Sequence, residues 1–430
     1  MSGYYVPGFY VEDRQTAVPL DWSGVQPGAA FGGETIDVFW REVCAPENRN
    51  VELPLLVFLQ GGPGGKSPRP TNSIPWLVEA VKHFRVILPD QRGTGRSTPA
   101  LADGRCNTAW YLSKLLADSI VRDFEHIRLS VYGAKRWTSL GQSYGGFLTL
   151  AYLSAFPGAL NACLVTGGIP GVPPSAAEVY RRTFPRAQAK TEKLYSRYPQ
   201  DAEITAAVAD RLAEGDIVLP DGSPLSVERF QLSIGSDLGV DGGHEAAHWA
   251  LDEAFARPGV LSATFLQEVY TRTAHTENPL FWTLQEFIYG SGDNGPIGWA
   301  AAAERARRPQ FKPTARPLMA TTEMTFPWMF EQITALRPYR EAVDELMSRE
   351  EWPIIYDEQR LARNETPVQA AVYFDDVYVD CGLQMDTLAK LGNSQYWVTN
   401  EHEHNGVRSS PDIFNRLYRL LNERGAFSKE

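Results

Sequence analysis

From Arg136 to Phe156 the chain reads RWTSLGQSYGGFLTLAYLSAF. Its first six residues form a short run suited to a buried strand, and the apolar residues from Phe147 onward suit a buried helix. Between them stand Gly141, Gln142, Ser143, Tyr144, Gly145 and Gly146. A strand that turns into a helix over so few residues strains the backbone at its middle position. Glycines on either side let neighbouring backbones approach with no Cβ in the way. Such a turn belongs at the C-terminal edge of a sheet whose strands alternate with helices, so this stretch constrains the whole architecture.

Other segments obey the same rule. LPLLVFL (53–59), FRVILPD (84–90) and NACLVTGG (161–168) are short apolar runs bounded by turns. Helical patterns appear in LLADSIVRDFEHIRLSVYG (115–133) and FLTLAYLSAF (147–156). Upstream, FYVEDRQTAVPL and ETIDVFWREV look like strands, the second with Ile36, Val38 and Trp40 at period two. The expected class is α/β with a mostly parallel sheet. From about residue 172 to about 364 the pattern is mostly helical, and roughly 190 residues is too long for a loop. Strand patterns resume with VQAAVYFDD and SQYWVTNEHEHNG, before a last helix in SPDIFNRLYRLLNERG. Residues 1–171 and 366–430 are therefore expected to form one α/β domain, with 172–365 inserted as a helical cap.

A net charge of −11 argues against a nucleic-acid surface. No apolar run approaches the roughly 18 residues of a membrane span. The N-terminal residues lack the basic-then-apolar order of an export signal, so the expected location is cytoplasmic. Cys44, Cys106, Cys163 and Cys381 show no CxxC spacing, which suggests neither a zinc site nor a disulfide framework. No pattern specifies an oligomeric state.

Gly141 to Gly145 fits G-x-S-x-G between a strand and a helix, the setting of a nucleophilic serine at Ser143. A serine needs a base, and the base needs an orienting carboxylate. Asp375 and Asp376 end one late strand, and His402 and His404 follow the next. Asp376 and His404 are the preferred pair, with Asp375 and His402 as alternatives. Two histidines at a spacing of two do not make the helical metal pair of H-E-x-x-H, so no metal is expected. The stretch LQGGPGGKSPRP (59–70) ends in Gly-Lys-Ser like a phosphate loop. The first glycine of that motif falls on Gln60, however, and Pro68 and Pro70 oppose a helix after Ser67. Following a strand, the glycines suit an oxyanion loop, with the amides of Gly62 and Tyr144 as donors.

Taken together, GGPGG (61–65), DQRGTGRS (90–97), GQSYGG (141–146), YFDDVYVD (373–380) and EHEHNGVR (401–408) resemble the proline iminopeptidases, in particular longer members with a large helical cap. The resemblance implies an α/β-hydrolase core and a cofactor-free serine exopeptidase acting on peptides or amides with a free N-terminal proline. It also implies that Glu286 and Glu323 in the cap hold the substrate ammonium. Phe281, Trp282, Phe326 and Trp328 flank those glutamates and are candidates to wall in the pyrrolidine ring. Arg92 is expected to brace the oxyanion loop, where Gln60 replaces the family's usual histidine. The alternatives are an esterase, amidase or epoxide hydrolase on the same core, or an aminopeptidase of broader specificity.

Overall fold

The computed structural model describes residues 3–427. Its strands are β1 (Tyr4–Val6), β2 (Phe9–Pro19), β3 (Thr35–Cys44), β4 (Leu55–Leu59), β5 (Arg85–Pro89), β6 (Trp137–Gln142), β7 (Leu160–Thr166), β8 (Phe255–Arg257), β9 (Val260–Leu261), β10 (Val368–Tyr373) and β11 (Ser394–Thr399). One sheet runs in the order β1-β2-β3-β5-β4-β6-β7-β10-β11. Pairings from β1 to β5 through β2 and β3 are antiparallel, and those from β5 to β11 are parallel. Every residue of β4, β6 and β10 is buried, as in parallel strands covered on both faces. The α/β class and mostly parallel sheet agree with the expectation from sequence.

On one face, the helices Pro75–Ala80 and Pro411–Glu423 pack Trp76, Leu77, Phe414 and Leu417 onto Phe58 and Leu164. On the other, Ala117–Val131 and Tyr144–Ala155 pack Phe124 and Leu148 against Val57. Between β7 and β10 the chain is mostly helical, from Ala176–Arg197 to Glu358–Ala362. Part of this region has its own core around Leu194, Val208, Phe230 and Phe265. Trp282, Phe287 and Met324 instead join the core that continues onto the sheet. The cap is thus seated on the strands. The β8–β9 hairpin within it, and β1, are too short for a period to be readable in sequence. No described helix is long and apolar enough to cross a membrane.

One expectation is overturned here. Arg92 makes no hydrogen bond to the glycine loop after β4: it points away, into a buried pair with Asp123 at 2.6 and 2.7 Å. It also donates to the carbonyls of Pro19, Leu20 and Lys114 at 2.7–3.0 Å, so it ties the end of β2 to the helix Ala117–Val131. Removing one partner of such a pair leaves a buried charge alone. D123A is expected to lose about 3–5 kcal/mol of stability. Urea unfolding checks this, and activity per folded molecule should be unchanged.

Candidate active site

β6 ends at Gln142 and the next helix begins at Tyr144, which leaves Ser143 alone on the turn with φ 57° and ψ −127°. A non-glycine residue holds such a conformation, at a cost of about 1–3 kcal/mol, only when its surroundings enforce it. They do so here. The Ser143 amide donates to Thr166 O at 3.1 Å, and its carbonyl accepts from the Gly146 amide at 2.8 Å. A Cβ on Gly145 would stand 1.8 Å from Leu59 O, and one on Gly146 would stand 2.2 Å from Gly168 O. No side chain fits at either position.

Asp376 lies fully buried just past β10, whereas Asp375 is exposed. Asp376 Oδ1 accepts the Tyr378 and Val379 amides at 2.8 and 3.0 Å, and Oδ2 meets His404 Nδ1 at 2.7 Å. The Tyr378 ring stands edge-on to the imidazole, 5.0 Å away. Burial disfavours a charged His404, but the field and hydrogen bond of Asp376 outweigh it, so its pKa is raised. His402 turns elsewhere, to Asp241 at 3.4 Å. Gly167 and Gly168 lie between Ser143 and His404: a Cβ on Gly167 would be 3.2 Å from His404 Nδ1, and one on Gly168 would be 3.0 Å from the Ser143 amide nitrogen. Among the described residues no hydrogen bond joins Ser143 Oγ to the imidazole. Such bonds commonly close only with substrate.

The glycine loop after β4 folds over the same point. Gly61 packs on Ser143 Cβ, and Gly62 has φ 132°, a conformation open to glycine. The bracing assigned to Arg92 comes from its neighbours: Gln91 Nε2 donates to Gln60 O at 2.8 Å, and Asp90 accepts the Ser67 amide at 3.0 Å. Above the loop, Gly64 presses on the cap helix Leu280–Leu284, where a Cβ would stand 2.6 Å from Leu280 Cβ.

A cavity of about 140 Å³ lies under the cap, lined by Phe281, Trp282, Glu323, His275, Arg272 and Tyr378 among others. That is a volume suited to one small ring. Glu323 has no hydrogen-bond partner among the described residues, and its partial accessibility faces this cavity. Burial raises its pKa to about 7, opposed by His404 and Arg408. Glu286 is spoken for: its oxygens accept the Ala300 and Ala301 amides at 2.9 and 3.1 Å, capping the helix Ala300–Ala306. Burial raises its pKa to about 8 despite those bonds. Both carboxylates act on Tyr180, whose buried hydroxyl has no partner among the described residues. Phe326 and Trp328 stack on each other, with Arg305 over the Phe326 ring, and neither lines the cavity. A larger cleft, of about 1220 Å³, lies by Pro54, Arg136 and Pro367, where strands begin. Ligands of open α/β sheets bind at the opposite, carboxyl ends.

Some residues with evident roles carried no signal of their own. Arg408, inside the EHEHNGVR stretch, donates to Gln142 Oε1 at 2.7 Å and so buttresses the residue before Ser143. Tyr180 and Tyr378 are ordinary aromatics until the chain is folded.

Known proteins resemble this chain in sequence and in fold. A model of the alpha/beta hydrolase fold matches residues 54–208. A proline iminopeptidase of Aeromonas sobria is 41% identical over 424 residues, covering 97% of this chain and 98% of that one. The chain belongs to the proline iminopeptidase family. Another proline iminopeptidase, from Aspergillus aculeatus, is 31% identical over 427 residues, covering 95% of this chain and 92% of its own. A solved proline iminopeptidase from Mycobacterium smegmatis aligns with a TM-score of 0.46 at 14% identity, covering 92% of this chain and 97% of its own.

The raised pKa of Glu323 has a consequence for stability. The folded state holds a proton up to about pH 7 that the unfolded chain releases near its ordinary value of 4.5. The contribution to stability is therefore present below the unfolded pKa and lost as pH rises through 7. E323Q removes that loss. Its melting temperature is expected to exceed that of the parent protein by several degrees at pH 8 and to match it near pH 4.5, which thermal scans at the two pH values check.

Proposed function

We propose that this protein releases N-terminal proline from peptides by way of a prolyl ester on Ser143. The observation that carries this reading is Glu323: a carboxylate with no hydrogen-bond partner among the described residues, in a cavity of single-ring size, within the field of the His404–Asp376 pair. An anion buried in that manner is costly unless a cation comes to meet it. The secondary ammonium of an N-terminal proline supplies one. The name carried by the Aeromonas sobria and Aspergillus aculeatus relatives agrees with it.

In this reading Glu323 receives the ammonium directly. Glu286 contributes the lone pairs left over from its two amide bonds. Phe281 and Trp282 flank the ring, and the Gly64–Leu280 contact closes the roof. Ser143 Oγ attacks the prolyl carbonyl carbon as its proton passes to His404, whose Nδ1 is held by Asp376. The carbonyl oxygen takes up negative charge against the amides of Tyr144 and Gly62. Collapse breaks the C–N bond, and His404 returns the proton to the departing nitrogen. Water then attacks the ester with His404 again as base, freeing proline and Ser143. His404 must be neutral and Glu323 ionised to begin the cycle, so the reaction is expected to fail on the acid side.

Three outcomes test the reading. S143A is expected to abolish hydrolysis of a prolyl arylamide, and N-acetylation of that substrate is expected to prevent its cleavage by the unmodified enzyme. E323Q should lower kcat/KM for free-amine substrates by about 100-fold, the effect of leaving one member of a buried charge pair alone. Efficient turnover of the acetylated substrate would favour an esterase or amidase instead.

A further inference from the structure

The cap helices Val227–Gly235 and Gly243–Asp252 are joined by the turn Ser236–Gly242. This turn lies against the loop that carries His404, and it engages that loop residue by residue. Gly239 O accepts the His404 amide at 3.1 Å. Asp241 Oδ1 accepts the Glu403 amide at 2.7 Å, and Oδ2 meets His402 Nδ1 at 3.4 Å and takes the Ser409 hydroxyl. The Asp241 amide donates to Asn405 Oδ1 at 2.9 Å. From a second cap helix, Ala176–Arg197, Lys190 forms an ion pair with the Glu403 carboxylate. Four consecutive residues, His402 to Asn405, are each bonded to the cap.

The other half of the pair is held from the same turn. Gly239 packs on the ring of Tyr378, where a Cβ would stand 2.2 Å from Cζ, and the Tyr378 hydroxyl donates to Ser236 O at 3.4 Å. Tyr378 in turn gives its amide to Asp376 and its ring edge to His404. Nearby, Arg186 of the cap binds Asp380 at 2.5 Å and Phe374 O at 2.8 Å, gripping the loop that carries Asp376 from its far side.

We propose that Asp241 is a positioning residue for the reaction: through it the cap turn fixes the register in which the loop presents His404 to Ser143, so that seating the cap and assembling the base are one event. The inference rests on the reading of Ser143, His404 and Asp376 as the reacting groups. Asp241 touches none of the reacting atoms. Its four partners all lie on one stretch of backbone, and a shift of that stretch moves the imidazole off line. Misplacement by about 1 Å is enough to cost on the order of 100-fold in rate.

The test compares D241A, D241N and D201N in the full-length protein. D241A is expected to lower kcat on a prolyl arylamide on the order of 30-fold, with KM close to that of the parent because the cavity carboxylates are untouched. Fluorophosphonate labelling of Ser143 should slow in parallel. The acid limb of the pH–rate profile should move to lower pH as His404 loosens from Asp376. D241N keeps an acceptor for the Glu403 amide and is expected to recover most of the rate. D201N disturbs a buried cap carboxylate bonded to His248 and to no residue of the His404 loop, so it should lower the melting temperature while leaving kcat intact. Should D241A fold poorly, N405A removes the acceptor of the Asp241 amide without touching the cavity and should reproduce the split between kcat and KM. The proposal is overturned if D241A, or N405A in its place, leaves kcat and the acid limb where they were, or if D241N recovers nothing. Residual activity of S143A would instead overturn the underlying triad, so the two failures are told apart.

Discussion

Everything at this site is arranged around a backbone contact that excludes side chains. The helix after Ser143 approaches β4 and the segment after β7 so closely that Gly145 and Gly146 touch Leu59 O and Gly168 O with no room for a methyl group. That approach bends Ser143 into its strained conformation and lifts its hydroxyl clear of the strand ends. It also brings the glycine loop over Ser143 and sets the diglycine 167–168 as the spacer between Ser143 and the His404 imidazole. The fold costs little here in contacts and much in freedom. This is the usual signature of a turn kept for chemistry rather than for packing.

Over this rigid floor sits a roof whose electrostatics run against stability. Two glutamates, Glu286 and Glu323, are buried with their pKa values raised to about 8 and about 7. One is compensated by helix amides and the other is left open. The open one lies near His404 and the guanidinium of Arg408, whose positive charge favours its ionised form and partly offsets the cost of burial. A site poised in this way is unfavourable empty and favourable when a cation enters, which suits binding better than it suits folding.

Much of the floor was legible in the sequence, and much of the roof was not. Strand–Gly-x-Ser-x-Gly–helix is a local pattern; β4, β5, β6 and β7 appear as short apolar runs at their observed positions within about two residues, and β10 and β11 open the two late strand patterns. The late position of Asp376 and His404 could be read from strand ends, but the choice over Asp375 and His402 depends on burial and on Asp241, a residue more than 160 positions away. Arg92 misled because a motif says which residues recur and not which way each one points. Gln91 and Arg92 enter a turn closed by the Thr94 amide on Gln91 O, and their side chains leave it in different directions, Gln91 toward the loop and Arg92 toward the helix Ala117–Val131. Phe326 and Trp328 are near Glu323 in sequence, but the structure stacks them on each other, against the core that continues onto the sheet, rather than along the cavity.

The touch between Gly64 and Leu280 has a bearing on how such enzymes diversify. Caps of this kind look like exchangeable modules, since each is inserted between two strands of a shared core. Here, though, the inserted segment serves as the upper mould for the glycine turn that folds over Ser143. A chimera carrying a foreign insert would need to deliver a side chain of similar outline to that one glycine, or the turn would be left to find its own shape. Recombination of insert and core is therefore constrained at a contact a few atoms wide, however freely the remainder of the insert drifts.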